Sequence, residues 1–184
     1  MIKVSDQDEI KAEANYQLGR SYHAQGDFDK AYSFYYKSTQ LALQCYQNYV
    51  LPFYGLGQLL IHRSKNVKEQ QKIIYLNQAI DCFERVLSKY PNNYESMKIL
   101  GTLYQQFSDF KPSTKIGREE IKFQPDEAYK KAVENYKKIT ETQKDDVEVI
   151  IAYRFVFSKK NYFGVKLGHV PFSHHSYTFC KTTL

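Results

Sequence analysis

The 184-residue sequence has no tryptophan, five prolines and three cysteines. Aromatic residues nonetheless make up 16% of the chain, which excludes a disordered tail and is typical of a globular protein. No window approaches the roughly 18 consecutive apolar residues of a membrane span, so we expect no membrane partner. Cys45, Cys82 and Cys180 are odd in number and widely spaced, which argues against a disulfide framework and favours a reducing compartment.

Acidic residues are absent from residues 149–184, and this absence explains most of the net charge of +6. That segment contributes +5 through its basic residues: Arg154, Lys159, Lys160, Lys166 and Lys181. The other 21 of the 26 basic residues lie in residues 1–148, together with all 20 acidic residues. The net charge of residues 1–148 is therefore only +1. The basic character therefore belongs to the C-terminal segment, and we expect no direct nucleic-acid partner.

Signatures of catalysis and of cofactor binding are also missing. The sequence has no GxxxxGK[ST] phosphate loop, no HExxH motif and no GxSxG motif, so we expect neither an enzyme nor a cofactor. Cys45 and Cys82 fall on apolar helical stripes, where buried structural thiols are expected rather than nucleophiles. We expect no metal site from the C-terminal group, whose spacing matches no common zinc pattern: His169, His174, His175 and Cys180.

The sequence does contain a Leu-Gly pair that occurs three times. The stretches are YQLGRSY at 16–22, YGLGQLL at 54–60 and KILGTLY at 98–104, and the glycines of their Leu-Gly pairs are 38 and 44 residues apart. This spacing falls in the range of helical repeats. Downstream of each pair, an aromatic residue comes four positions after an alanine: Ala31 and Tyr35, Ala79 and Phe83, and Ala132 and Tyr136.

This pattern resembles the tetratricopeptide repeat (TPR), a pair of antiparallel helices in about 34 residues. It predicts an all-α fold of about three helical hairpins stacked in a right-handed superhelix. We expect Gly19, Gly57 and Gly101 to lie opposite the three alanines where paired helices cross, because two small residues let the backbones approach closely. The surrounding space in the first hairpin is expected to be filled by large side chains: Leu18, Tyr22, Phe28 and Tyr35.

Turn and boundary signals divide the chain into a lead, three repeats and a tail. Gly26 is expected to end one helix and Asp27 to cap the next, with Asn93 as a similar cap in the third repeat. The first insertion has no glycine or proline and is expected to lengthen a helix, whereas the second is expected to be a loop. The predicted boundaries are 1–11 for the lead, 12–49 for copy one, 50–93 for copy two with an insertion near 64–77, 94–146 for copy three with an insertion near 107–127, and 147–184 for the tail.

The tail at 147–184 does not continue the repeat. Tyr153 and Arg154 occupy the Leu-Gly positions of a fourth copy, and the apolar residues run together without a 3.6-residue period. We interpret this segment as irregular and foreign to the repeat, as in a truncated or alternatively spliced product or a gene model that reads past an exon end. We expect it to leave apolar surface exposed over 141–157 and not to pack on the repeats.

The surface best suited to binding is the inner face of the stack, which the first helix of each pair lines in TPR proteins. Aromatic rings, amides and a few cations on this face suit an extended or helical segment of a partner. The alternative for each residue is that it packs against a neighbouring repeat. Counting from the Leu-Gly pairs predicts nine groove-facing residues: Tyr16, Arg20, His23, Tyr54, Gln58, His62, Lys98, Thr102 and Gln105.

Two stretches carry a more specific resemblance, VLPFYGLGQ at 50–58 and YPNNYESMKILG at 90–101, because they include surface residues that the fold does not dictate. Over about residues 10–148, less the insertions, the chain resembles an internal part of the TPR scaffold subunits of the RNA polymerase II-associated factor (PAF) complex. The resemblance implies a nuclear, non-catalytic scaffold. It implies as partners the other subunits of that complex and, through them, RNA polymerase II, with roles in transcription elongation and co-transcriptional histone modification.

A TPR adaptor of the chaperone-associated type is the alternative function. Such modules bind the terminal carboxylate of a peptide with a Lys and an Asn on the first helix, where Tyr16 and Arg20 stand in this sequence. That carboxylate clamp is therefore absent. An enzyme with a helical accessory domain is a third possibility, for which the sequence offers no catalytic residues.

Overall fold

The computed structural model describes residues 4–45, 48–109 and 125–162, and the regular secondary structure in these ranges is helical throughout. Helices α1 and α2, α3 and α4, and α5 and α6 pack as hairpins, and neighbouring hairpins contact one another in chain order. The expected all-α fold of stacked helical hairpins is confirmed. The described residues form seven helices: α1 (Val4–Ala24), α2 (Phe28–Cys45), α3 (Leu51–Ser64), α4 (Glu69–Lys89), α5 (Tyr94–Asp109), α6 (Pro125–Thr142) and α7 (Val147–Tyr162).

Short turns with the expected capping residues set the helix ends. Gly26 has a φ of 78°, a left-handed conformation that glycine adopts without strain, and it separates α1 from α2. The Asp27 carboxylate accepts a hydrogen bond from the backbone N–H of Lys30 at 3.2 Å. At the start of α5, Asn93 Oδ1 accepts one from the backbone N–H of Ser96 at 2.9 Å. The predicted roles of Gly26, Asp27 and Asn93 are therefore confirmed.

In each hairpin a glycine of the first helix lies against an aromatic ring of the second, and we call this the glycine–ring contact. Ideal Cβ atoms built at these glycines would come far too close to ring carbons: 2.6 Å for Gly19 and Tyr35, 2.7 Å for Gly57 and Phe83, and 2.6 Å for Gly101 and Tyr136. Because non-bonded carbon atoms prefer to be about 3.5–4.0 Å apart, a side chain at these positions would push the helices apart. The cost of a glycine inside each helix is thus offset by close helix packing.

Two details differ from the expected packing. The nearest side-chain atoms to each glycine belong to the ring four residues after the alanine, so the ring and not the alanine lies opposite the glycine. Leu18 is 45% exposed and does not fill space inside the hairpin. Its counterparts Leu56 and Leu100 are buried on helices that pack against a preceding hairpin, whereas α1 has no preceding hairpin among the described residues.

Tyr35 also joins the first hairpin to the second. A Cβ atom at Gly55 of α3 would lie 2.7 Å from Tyr35 Cζ, so a glycine lies on each side of this ring. Gly55 was not among the residues expected to pack in this way. The ring of Tyr35 is therefore held between α1 and α3, and the close approach of three helices depends on two glycines.

The two insertions lie between the helices of copies two and three. The first supplies the connection after α3 and the N-terminal part of α4, which begins at Glu69 and reaches Lys89. Part of the first insertion is therefore helical. The second insertion falls largely on residues 110–124, which lie outside the described residues, and its predicted loop is not described.

The expectation of an irregular, unpacked tail is wrong for residues 147–162. These residues form α7, which packs on α6 as α3 packs on α2 and α5 packs on α4. Val149 and Val156 are each 1% exposed, and Asp146 Oδ1 caps the helix by accepting the backbone N–H of Val149 at 3.0 Å. Residues 163–184 lie outside the described part of the chain.

Apolar residues on two faces of α7 explain why its helical period is hidden in the sequence. One face is buried against α6, while the other carries side chains that are half exposed or more: Val147, Ile151 and Phe155. A helix with apolar residues on both faces has no clear stripe in the sequence. The expected exposure of apolar surface within 141–157 is therefore confirmed, although it arises on a packed helix.

Replacing Val156 with alanine tests whether α7 contributes to the fold. Because Val156 is 1% exposed, we expect Val156→Ala to lower the free energy of unfolding by about 2 kcal/mol, from lost burial and a residual cavity. Ile151 is 61% exposed on the same helix, so the control Ile151→Ala should change it by less than about 0.5 kcal/mol. Urea unfolding of the full chain followed by circular dichroism measures both. Equal effects of the two variants would show that α7 does not pack on α6.

Replacing Gly57 with alanine tests the glycine–ring contact. Alanine favours helix formation by about 1 kcal/mol, yet we expect Gly57→Ala to lower the free energy of unfolding by about 1–3 kcal/mol, because its Cβ overlaps the Phe83 ring. In the double variant with Phe83→Leu the loss should be smaller than the sum of the single losses, by about 0.5–3 kcal/mol. The same urea titrations measure all three variants. A stabilising Gly57→Ala, or strict additivity, would contradict this packing.

Candidate partner-binding groove

The nine predicted groove residues all lie on the first helices of the three hairpins, at matching distances from the Leu-Gly pairs. Arg20, Gln58 and Thr102 occupy the same position in α1, α3 and α5, and all three are exposed. The other six are partly buried: Tyr16, His23, Tyr54, His62, Lys98 and Gln105. Of the nine predicted residues, one polar side chain per repeat is therefore exposed, and the other six are partly buried by neighbouring side chains.

Tyr16 packs among aromatic rings of the first hairpin and of the connection that follows it. Its ring centroid is 5.9 Å from that of Tyr35 and 5.9 Å from that of Tyr49, which it meets edge-on. The Tyr49 hydroxyl donates a hydrogen bond to the Glu13 carboxylate. Burial raises the pKa of Tyr16, and it raises the pKa of Tyr35 to about 12. Both phenols therefore stay neutral at physiological pH, with Tyr35 buried in the core and Tyr16 partly buried beside it.

His23 and His62 come from different repeats and meet around Phe28. The Phe28 ring centroid lies 5.8 Å from that of His23 and 4.0 Å from that of His62. Burial lowers the pKa of His23 below its ordinary value of 6.5, and the nearby His62 lowers it further. The stacking of copy two on copy one thus brings two predicted residues together, 39 positions apart in the chain.

Arg20 extends the same surface from α1. Its guanidinium carbon lies 5.8 Å from the Tyr16 ring centroid, and its Nη1 donates a long hydrogen bond of 3.4 Å to Gln17 Oε1. Within the described residues Arg20 forms no ion pair with a carboxylate. An exposed guanidinium held beside an aromatic ring is suited to binding an anion or a peptide carbonyl from a partner.

In copy two, Tyr54 packs within its own hairpin and Gln58 is exposed beside it. The Tyr54 ring meets the Phe83 ring edge-on with centroids 5.5 Å apart, and burial raises the Tyr54 pKa, helped by the charge of Glu95. The exposed Gln58 side chain lies one helical turn after Tyr54 on α3, and it lowers the Tyr54 pKa and so partly offsets the rise. Copy two therefore presents an amide and the edge of a phenol, with no formal charge from these two positions.

Copy three uses its predicted groove residues mainly for internal contacts. Lys98 Nζ donates hydrogen bonds to Asp146 at 3.1 Å and to Glu148 at 2.9 Å, which joins α5 to the start of α7. The hydroxyl of Tyr136 lies 3.3 Å from Thr102 Oγ1 and 3.4 Å from Gln105 Oε1. Lys98 is thus neutralised from within the chain.

α7 carries an exposed apolar stripe at positions that match the predicted groove residues of the repeats and that were not predicted from the sequence. Ile151 and Phe155 lie 53 residues after Lys98 and Thr102, and they hold the same positions relative to the Leu-Gly register. Ile151 is 61% exposed and Phe155 is 50% exposed. Their spacing of four residues was the available signal, since residues four apart share one side of a helix.

The described residues also bear on a reactive cysteine, a metal site and a membrane span. Cys82 is buried and burial raises its pKa to about 12, so its thiol is not a nucleophile, as expected. No group of three His, Cys, Asp or Glu side chains there could hold a metal ion. No described helix is both long and apolar enough to span a membrane. The His169, His174, His175 and Cys180 group and the side chain of Cys45 lie outside the described part.

Family models match two parts of the chain. Residues 12–45 match a model described as a tetratricopeptide repeat, and residues 76–93 match a second model with the same description. These two segments are therefore similar to tetratricopeptide repeats. The first match covers most of α1 and all of α2, and the second begins in α4, so both lie on the hairpins described above.

Two relatives confirm the more specific resemblance. It is 46% identical over 100 residues to "RNA polymerase-associated protein CTR9" of Caenorhabditis elegans, a match that covers 54% of this chain. It is 32% identical over 127 residues to "Protein CTR9 homolog" of Arabidopsis thaliana, which covers 69% of this chain. The matched regions are 8% and 11% of those relatives, so the chain spans about a tenth of their length.

Proposed function

We propose that this chain is a non-catalytic protein–protein interaction scaffold of the PAF complex, in which it contacts other subunits and, through them, RNA polymerase II. The observation that carries the proposal is the 46% identity over 100 residues to a protein named as RNA polymerase-associated. The proposed location is the nucleus, and the proposed context is transcription elongation and co-transcriptional histone modification.

The geometry supports a binding role through the repeated exposure of one polar side chain per hairpin. Arg20, Gln58 and Thr102 lie at equivalent positions and are backed by aromatic rings that are already packed. A preorganised surface of this kind loses little conformational entropy when a partner segment binds along it. The chaperone-associated adaptor is not favoured, because Tyr16 and Arg20 stand where that type has its Lys and Asn.

Affinity purification of the tagged full chain from nuclear extract tests this function. We expect recovery of PAF-complex subunits and RNA polymerase II with the unmodified chain. The groove variant Arg20→Ala, Gln58→Ala, Thr102→Ala should recover at least about tenfold less, because removal of a few well-placed contacts weakens binding by about this factor. Immunoblotting for those subunits and for heat-shock chaperones measures the outcome.

The matched control changes three exposed polar residues on the second helices. Gln40→Ala, Gln78→Ala, Lys138→Ala alters the same number of side chains and also removes one positive charge, and we expect it to bind like the unmodified chain. Recovery of chaperones without PAF-complex subunits would favour the adaptor function. Recovery no greater than with the tag alone would contradict the scaffold proposal.

A further inference from the structure

We propose that the part of the groove formed by Arg20, His23 and His62, the copy-one corner, binds a carboxylate from an acidic segment of a partner protein. This inference rests on the proposed scaffold function and assigns a chemistry to one part of its binding surface. Among the residues of the inner face, it is here that a cation is exposed without an acidic partner in the described part of the chain.

The corner is built by three helices whose aromatic contacts hold the polar groups in place. Arg20 lies beside the Tyr16 ring, Tyr16 packs on Tyr35, and Tyr35 meets His23 edge-on with centroids 6.1 Å apart. Phe28 then continues the row of rings to His62 on α3. The Arg20 guanidinium can donate two parallel hydrogen bonds to one carboxylate group, and a neutral imidazole on the same row of rings can donate one to a polar group of the bound segment.

Neighbouring acidic side chains do not neutralise the corner, because each is engaged elsewhere. The carboxylate of Asp27 pairs with Lys30 Nζ at 2.8 Å, and that of Asp29 pairs with Arg63 Nη2 at 2.5 Å. The carboxylate of Glu13 accepts hydrogen bonds from Gln17 Nε2 and from the Tyr49 hydroxyl. The positive charge of Arg20 is therefore available to a partner.

The other repeats lack this chemistry at the same positions. Gln58 and Thr102 replace Arg20 in copies two and three, and the cation of copy three, Lys98, is held by Asp146 and Glu148. Ile151 and Phe155 continue the face with apolar side chains on α7. The inner face thus changes from cationic to neutral to apolar, which predicts that the acidic part of a bound segment lies at α1.

A protein carboxylate is favoured over a nucleic-acid phosphate by the number of cations. A nucleic-acid site normally neutralises several phosphates with clustered Lys and Arg, and affinity grows with that number. The copy-one corner contains one arginine and two histidines, and residues 1–148 carry a charge of only +1, which is the difference between 21 basic and 20 acidic residues. One carboxylate flanked by aromatic or aliphatic residues matches this combination of charge and rings.

Fluorescence anisotropy of the full chain with designed peptides tests the proposal. The probe is a short fluorescein-labelled peptide that alternates glutamate with tyrosine, and the matched probes replace glutamate with glutamine or lysine. We expect the glutamate peptide to bind at least about tenfold more tightly than either matched peptide. Arg20→Gln should weaken glutamate-peptide binding about tenfold, as expected for loss of a charge-assisted hydrogen bond.

The control Lys138→Gln removes the same net charge from an exposed site on α6 and should leave peptide affinity unchanged. Equal binding of the glutamate and lysine peptides, or equal effects of Arg20→Gln and Lys138→Gln, would overturn the proposal. Tighter binding of a fluorescein-labelled single-stranded RNA than of the glutamate peptide would overturn it in favour of phosphate. Circular dichroism of each variant reports whether the helices are retained.

Comparison with the affinity purification separates the two proposals. If Arg20→Gln recovers PAF-complex subunits as well as the unmodified chain does, while peptide selectivity is absent, the scaffold function stands and the carboxylate site does not. If the chain selects the glutamate peptide through Arg20 but recovers no PAF-complex subunit, the carboxylate site stands and the proposed complex does not.

Discussion

The glycine–ring contact is the packing constraint on which the rest of the structure depends. In each hairpin the ring of Tyr35, Phe83 or Tyr136 lies where a side chain on the first helix would otherwise stand. The glycine gives up helix propensity, and the buried ring recovers apolar area and close van der Waals contacts. Because the contact recurs at the same register, it positions the two helices of every hairpin in the same way.

This repeated register explains how one scaffold can carry a surface whose chemistry changes along its length. Once the glycine and ring set the rotation of the first helix, the residue after each glycine must face outward, as Arg20, Gln58 and Thr102 do. Packing constrains the buried side of the helix but leaves this position free to vary. Arg20 supplies charge, Gln58 an amide and Thr102 a hydroxyl at the same register position.

The sequence alone predicted the features that depend on local spacing. The three hairpins, the turn at Gly26 and the caps at Asp27 and Asn93 follow from residue types at fixed offsets, and all are present. Features that depend on contacts between repeats were not predictable in this way. The second glycine against Tyr35, at position 55, belongs to another hairpin, and its role appears only when α3 packs on α2.

In the candidate site, too, local spacing was predictable from the sequence and contacts between repeats were not. Spacing placed all nine groove residues on first helices, but it could not show that Lys98 is paired with Asp146 and Glu148, because those partners lie about 50 residues away. Nor could it identify α7, whose apolar residues on two faces conceal the helical period and whose Arg154 breaks the Leu-Gly pattern. Burial of Val149 and Val156 against α6 decides the conformation of that segment, and such tertiary contacts override local pattern.

Nuclear magnetic resonance of the full chain gives the most direct test of the glycine–ring contact. The account predicts nuclear Overhauser effects between the Hα protons of Gly57 and the ring protons of Phe83, together with ring-current shifts of those Hα resonances, since Phe83 Cε2 would lie 2.7 Å from a Cβ at Gly57. The same pattern is expected for Gly19 with Tyr35 and for Gly101 with Tyr136. Glycine Hα shifts at random-coil values without these effects would contradict the account.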